Sequence, residues 1–477
     1  MSTSVIDNWK LVLHRLSYNS IRNAVEGLSD RLKKWPRVPK TIARRLVRSR
    51  RARLLRGTRH AHSNERVSRL LVDISVISRN DSQTGIQRVV RAILWQLQNE
   101  APQGLVVQPI VATRKQPYRL ASWPSVAPEP GEILSPKRGD VFLGLDLSAH
   151  IVPARLPQMA RWKASGVRFY FVIYDLLPLE HPAWFSAKLV RAFRRWIQAV
   201  AVLSDGVFCI SQIVDESFRS FLTAEYNMRR SGITTQTIPM GSHIADSVPS
   251  KGLPTGFADV LKKLDKSTIL MVGTIEPRKG HREVFDALEC LWKRGSRVKL
   301  VIVGRPGWKT GTLQREIREH PEFGRSLFWF DGVSDEALEC LYQTCAGVVL
   351  ASKAEGLGLP LLEALSYRKP ILARDLRVFR HISHSLVCYF DQFAETEELA
   401  RSIDHWVRTE CSKSVDTEML STLSLPSWRD SMNSILAHIE SASSVENTRK
   451  PVITHASTGD LRSELDSITT WVAQPSD

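Results

Sequence analysis

Short apolar runs recur along this chain, each followed by a polar or glycine-containing loop and then by a helical pattern. RLLVDIS (69–75), GLVVQPIVA (104–112), DVFLGLD (140–146), VRFYFVIYD (167–175) and GVFCIS (206–211) form one series. TILMVGT (268–274), RVKLVIVG (297–304), LFWF (327–330), GVVL (347–350) and KPILA (369–373) form another. Between them lie amphipathic stretches such as IQRVVRAILWQLQ (86–98), HREVFDALECLWKR (281–294) and DEALECLYQTC (335–345). Strands without polar alternation, interleaved with helices, predict parallel sheets covered on both faces. Two such series in 477 residues predict two doubly wound α/β domains rather than one core. Ligands of such sheets sit beyond the carboxyl ends of the strands, so the loops there are where chemistry is expected.

The segment ADSVPSKGLPTG (245–256) gathers Pro, Gly and Ser and reads as the interdomain linker. Charge separates a further unit. The chain carries +17 overall, and residues 1–66 hold 17 Lys and Arg against 4 Asp and Glu. A basic extension therefore precedes a body close to neutral. It can meet anionic lipid, nucleic acid or an acidic partner, or be a solvated arm. IDNWKLVLHRL (6–16) mixes apolar and basic residues at helical spacing, and beyond residue 440 the chain turns polar and Ser/Thr-rich, as a tail does. No apolar run of ~18 residues is present to span a bilayer, and the N-terminus lacks the pattern of a secretory signal. The six scattered cysteines read as reduced thiols of a cytosolic protein.

Three loops of the second series carry candidate chemistry. GTIEPRKG (273–280) puts Arg278 and Lys279 between a strand and a helix N-terminus, where free amides and the helix dipole suit a diphosphate. AEGLGLPLLEA (354–364) opens with Glu355, and Gly356 and Gly358 let backbone amides approach a ligand. Glu363, eight residues on, falls about two turns into the helix expected from Leu359 or Pro360. A carboxylate would repel phosphate, so Glu363 is expected to serve hydroxyls, unless it is only a buried capping group. VGRPGW (303–308) is a third strand-end loop, whose Gly304 can approach a nucleotide. No cluster of metal-ligand spacing appears, and no Asp-x-Asp of the kind that holds a metal diphosphate.

VGTIEPRKG, FDGVSDEAL (330–338) and EGLGLPLLEAL follow one another in the order and spacing of the donor-binding domain of glycosyltransferase family 4, of the GT-B fold, which the stretch from about 268 to 385 resembles. DISVISRNDSQTGIQRVVRAI (73–93) resembles the bacterial polysaccharide mannosyltransferases of that family, with Gly85 in a loop facing the cleft. VIYDLLPLEHPAWF (172–185) and FCISQ (208–212) resemble later motifs of its first domain. LPSWRDSMNSIL (425–436) is similar to the helix that crosses back to that domain. The resemblance implies an acceptor-side domain over 67–250, a donor-binding domain over 251–425 and a crossing helix over 426–440, flanked by the extension 1–66 and the tail 441–477.

It also implies roles. Glu355 would contact donor-sugar hydroxyls, the amides of Gly356, Leu357, Gly358 and Leu359 would meet the diphosphate, and Glu363 would bind the ribose. Arg278 and Lys279 would neutralise the departing nucleotide. Tyr174–Asp175 stands where many relatives place a histidine on the donor sugar, making Asp175 a catalytic candidate. Arg368 stands where Gly is frequent and His381 where Glu is, positions tied to fine donor contacts.

The expected function is that of a retaining glycosyltransferase moving a sugar, mannose from GDP-mannose, to a growing or lipid-linked glycan in surface-polysaccharide assembly. It would need no metal or other cofactor and would sit in the cytoplasm, peripheral on the inner membrane. WFSAKLVRAFRRWIQAV (184–200) is either a basic face for that membrane or an ordinary core-facing helix. The alternatives are an inactive scaffold of the same fold and a basic nucleic-acid- or membrane-binding protein; no groove-reading or base-stacking motif favours nucleic acid.

Overall fold

The computed structural model describes residues 48, 69–123, 131–228, 233–244, 252–382, 386–411 and 424–445. Apart from Arg48, the basic extension lies outside the described residues, as do 245–251 of the expected linker and the tail beyond 445.

The first sheet comprises β1 (Arg69–Asp73), β2 (Val106–Val111), β3 (Arg119–Leu120), β4 (Val141–Gly144), β5 (Arg168–Ile173), β6 (Gly206–Cys209) and β7 (Thr234–Thr237), in the order β3-β2-β1-β4-β5-β6-β7. All neighbours are parallel except β2–β3, whose register pairs Ile110 with Leu120. The parallel sheet read from the sequence thus ends in a two-residue antiparallel edge, too short to leave a periodic signal. The other edge, β7, is TTQT and half-exposed, so it carries no apolar run to reveal it.

The second sheet comprises β8 (Thr268–Val272), β9 (Lys299–Val303), β10 (Leu327–Phe330), β11 (Gly347–Leu350), β12 (Ile371–Arg374) and β13 (Val387–Phe390), ordered β10-β9-β8-β11-β12-β13 and parallel throughout. Its strands are apolar on both faces because both faces are covered. Ile269 and Leu300 pack into one helical layer while Leu270 and Val301 pack into the opposite one. Both sheets reverse strand order once, between β1 and β4 and between β8 and β11, so each has one crevice at its carboxyl edge.

Helices carry the elements that meet at those crevices. In the first domain, α1 (Gly85–Glu100) starts with a capping box, Thr84 Oγ1 accepting from Gln87 N and Gln87 Oε1 accepting from Thr84 N. α2 (Ala187–Leu203) buries Phe193, Trp196 and Ile197 in the core and exposes Arg191, Arg194 and Arg195. Most of its apolar face is therefore core-facing, with Leu189 exposed beside the arginines. α3 (Gln212–Tyr226) is capped by Ser211. In the second domain, α4 (His281–Lys293), α5 (Asp335–Thr344), α6 (Leu359–Ser366) and α7 (Thr396–Thr409) follow strands β8, β10, β11 and β13.

The last described helix, α8 (Trp428–Val445), returns to the first domain. Trp428, Met432, Ile435 and Ile439 join that domain's core. Trp428 Nε1 donates to His243 O at 3.0 Å, and Arg168 Nη1 to Ile439 O at 2.9 Å.

Candidate active site at the interdomain cleft

Glu355 lies in the loop after β11, and Arg278 and Lys279 in the loop after β8. These two strands flank the reversal point, which is why residues 76 positions apart share one crevice. Arg278 Nη1 donates to Glu355 Oε2 at 2.9 Å. Lys279 Nζ donates to Glu355 Oε1, which also accepts from Ser352 Oγ at 2.7 Å. Burial alone would push the Glu355 carboxyl up, but Lys279 and Arg278 outweigh it and hold the group down at about 2. Gly273, at φ +146, leaves room for the Lys279 stem: a Cβ there would lie 3.4 Å from Lys279 Cε.

A second carboxylate, Glu276, was not singled out in the sequence although it stands two residues before Arg278. It is buried, and its Oε1 lies 2.7 Å from Arg278 Nε. Burial pushes its carboxyl up while Arg278 and Lys279 draw it down. Arg278 is thus wedged between two carboxylates, and its charge is further secured by them. Asp175, from the first domain, faces the same group: burial raises its carboxyl and Arg278 lowers it.

The glycine loop closes against the first domain. A Cβ at Gly356 would stand 2.1 Å from Tyr174 O, so only glycine allows this approach. Gly356 O accepts from Ser211 Oγ at 2.5 Å. Leu357 is buried in the first domain's core cluster, and a Cβ at Gly85 would meet Leu359 Cδ1 at 3.4 Å. Gly85, the first residue of α1, therefore packs against Leu359 at the start of α6. Gly358 has φ +92 and sits against Phe379. α6 begins at Leu359; in its first turn Pro360 has no N–H and Leu361 N donates to Gly358 O at 2.9 Å, so the Leu359 amide is the donor that this helix start can offer the crevice. The crevice is lined by Lys279, Ser352, Glu355, Gly358, Pro360 and Phe379.

Four expectations change. Gly304 serves backbone packing, since its Cβ would fall 1.9 Å from Gly273 O and its amide already donates to Phe330 O. Tyr174 is buried with its hydroxyl donating to Leu145 O at 2.7 Å, a structural bond within the first domain. Arg368 has φ +57 just past the end of α6, the left-handed conformation of a helix terminus. Glu363 is the fifth residue of α6, a little over one turn in, not two.

Glu363 is also not open to the crevice. It is 3% exposed, and both its oxygens are engaged, Oε1 by Arg88 Nη1 and Oε2 by the Tyr342 hydroxyl at 2.7 Å. Arg88, from α1 of the first domain, also reaches Asp335 Oδ1 at 2.8 Å. Nothing in the sequence marked Arg88. Among the described residues no group of His, Cys, Asp and Glu is arranged to hold a metal, and no helix is long and apolar enough to cross a membrane.

Residues 255–418, within the second domain, match the family model described as glycosyl transferases group 1. With the first sheet and the returning helix that domain completes the GT-B arrangement of two doubly wound domains. Over 347 residues the chain is 34% identical to the serotype-specific mannosyltransferase WbdA of Escherichia coli, an alignment covering 71% of this chain and 41% of that protein. It is 29% identical over 167 residues to the O-antigen chain mannosyltransferase B of Escherichia coli, covering 34% of this chain and 42% of that one. The chain thus spans about two fifths of the length of these curated relatives. Among solved structures, Anabaena HepE in complex with UDP and glucose aligns at a TM-score of 0.49 and 13% identity, covering 84% of this chain and 100% of that one.

Proposed function

We propose that this chain is a retaining glycosyltransferase that takes mannose from GDP-mannose and passes it to a growing or lipid-linked glycan in surface-polysaccharide assembly. The observation that carries the reading is Glu355 held ionised between Arg278 and Lys279 at the reversal point of the second sheet. In glycosyl transfer the sugar gains positive charge and the leaving phosphate negative charge as the bond breaks. Fixed cations on the leaving side, with the Leu359 amide at the start of α6, favour that state over the ground state. Glu355, anchored by Ser352 as well, orients the reacting sugar by accepting from its hydroxyls. Arg278 and Lys279 exchange part of their hold on Glu355 for the diphosphate. No cofactor is needed in this scheme. Likeness to mannosyltransferases named for serotype and O-antigen supports the choice of mannose and of a polysaccharide product.

The basic extension and the outward arginines of α2 support a place at the cytoplasmic face of an anionic membrane. Each Lys or Arg close to such a surface contributes about 1 kcal/mol. Flotation with anionic vesicles should be lost when residues 1–66 are removed or salt is raised.

The donor is tested with a thermal-shift panel of nucleotide sugars. A ligand at ~100 times its dissociation constant adds about 2.7 kcal/mol of stability, so GDP-mannose should raise the melting temperature by several degrees. A response to UDP-glucose and none to GDP-mannose would reject mannose while keeping the class of reaction.

A further inference from the structure

The donor-side carboxylate that should take the nucleotide's ribose is occupied by a cation from the opposite domain. Arg88 is the fourth residue of α1, and its side chain crosses to the second domain, bridging Glu363 through Nη1 and Asp335 through Nη2. All three are largely enclosed, with side-chain exposures of 10%, 3% and 18%. Arg91, one turn along α1, approaches Asp335 Oδ2 at 3.9 Å and otherwise holds Asp81 of its own domain. Tyr342 fixes the other oxygen of Glu363, stacked on Tyr367 at 5.2 Å.

Two features distinguish this contact from a permanent structural pair. The guanidinium is shared between two carboxylates on different helices, so it makes no bidentate fork with either, and its buried Nε has no hydrogen-bond partner. A buried unmet donor costs free energy in the closed arrangement. The pair also spans domains, so it parts when the domains open, a motion that also draws Leu357 and Leu362 away from the first domain's cluster. A ribose approaching Glu363 needs the oxygen Arg88 now holds, because the carboxylate presents no exposed edge.

We propose that Arg88 is an interdomain latch that stands in for the donor's ribose on Glu363, so that nucleotide binding and the Arg88–Glu363 contact exclude one another. The first domain then controls donor affinity without touching the donor, and release of the nucleotide is driven by Arg88 returning to Glu363. The inference rests on the nucleotide-sugar reading and on Glu363 as the ribose contact.

The test measures GDP and UDP binding to the full chain by calorimetry, with small-angle scattering of the free protein, for the wild type, Arg88→Met, Arg88→Lys and Asp335→Asn. Freeing a latch shut nine-tenths of the time strengthens binding about tenfold, so Arg88→Met should lower the dissociation constant for whichever nucleoside diphosphate the wild type takes by that factor. Its free form should have a larger radius of gyration. Asp335→Asn, which removes the charge but keeps an acceptor for Arg88, and Arg88→Lys, which keeps the charge but loses the two-armed guanidinium, should give smaller changes in the same direction. Unchanged or weaker binding in folded Arg88→Met overturns the latch while leaving the donor reading intact. If that variant does not fold, unchanged binding in Asp335→Asn overturns it equally. Absence of GDP and UDP binding in every protein, wild type included, is failure of the donor reading itself and removes the latch with it.

Discussion

The guanidinium of Arg278 reaches Glu355 Oε2 at 2.9 Å through one nitrogen and Glu276 Oε1 at 2.7 Å through another. One side chain therefore neutralises both a carboxylate facing the crevice and one buried beneath it. The two cations beside Glu355 are consequently not equivalent: Lys279 serves Glu355 alone among the ion pairs of the described residues, whereas Arg278 also supports the fold.

Arg278→Ala should accordingly cost more stability than Lys279→Ala. Removing one partner of a buried pair leaves an uncompensated charge worth about 3–5 kcal/mol, and Arg278 leaves Glu276 in that state. Chemical denaturation of both variants checks it. Equal or smaller destabilisation in Arg278→Ala would show that Glu276 does not depend on it.

Glu355→Ala should cut turnover while leaving the protein folded. A hydrogen bond to a charged group contributes roughly 1.5–3 kcal/mol, and each 1.36 kcal/mol is tenfold in rate, so a loss of about ten- to a few-hundredfold is expected. Product formation from a competent donor is the assay, with melting temperature as control. Full activity in a folded Glu355→Ala, Lys279→Ala double variant would remove the site assignment.

Gly356→Ala tests closure. The new methyl would collide with Tyr174 O, at 2.1 Å in the present arrangement. Neither sheet is touched, so far-UV circular dichroism should be unchanged while turnover falls at least tenfold, a barrier change of about 1.4 kcal/mol. Tyr174→Phe, by contrast, loses only the bond to Leu145 O and should cost about 1 kcal/mol of stability with turnover little altered.

The pH dependence of stability has two opposing sources. Asp146, whose Oδ2 accepts from Val76 and Ile77 amides, is pushed up to about 7 by burial and then by Asp73. A raised carboxyl favours the fold below its ordinary value of 3.8, and that contribution is lost as pH rises through about 7. His281 is pushed down to about 3 by burial and then by Lys279. Its neutral form favours the fold above 6.5, and that contribution is lost as pH falls towards about 3. Asp146→Asn should flatten the decline of the urea midpoint between about pH 4 and 7. A parallel decline in both proteins would exclude Asp146 as its source.

What could be read from the sequence follows from how local each signal is. β1, β5, β8 and β9 announce themselves because both their faces are buried. The glycine loop and the Arg278–Lys279 pair were legible because strand-end loops are where such folds place ligands. β3 and β7 were not, one being two residues long and the other wholly polar. Arg88 and Glu363 lie 275 positions apart, and no periodicity links them. Only the packing of α1 against the second domain does. Glu276 was missed for another reason: its role depends on burial beneath Arg278, which a charged tripeptide neighbourhood does not display.

The return of α8 has a consequence for how the molecule is made. Trp428 stands where a Cβ on Gly241 would collide with its indole, at 2.4 Å, and its neighbours along the helix fill the same core. The first domain is thus missing a wall until α8 is made, whereas the second has every described strand by Phe390. Assembly runs against the order of synthesis: the later domain can close first, and the earlier one waits for it with apolar surface uncovered.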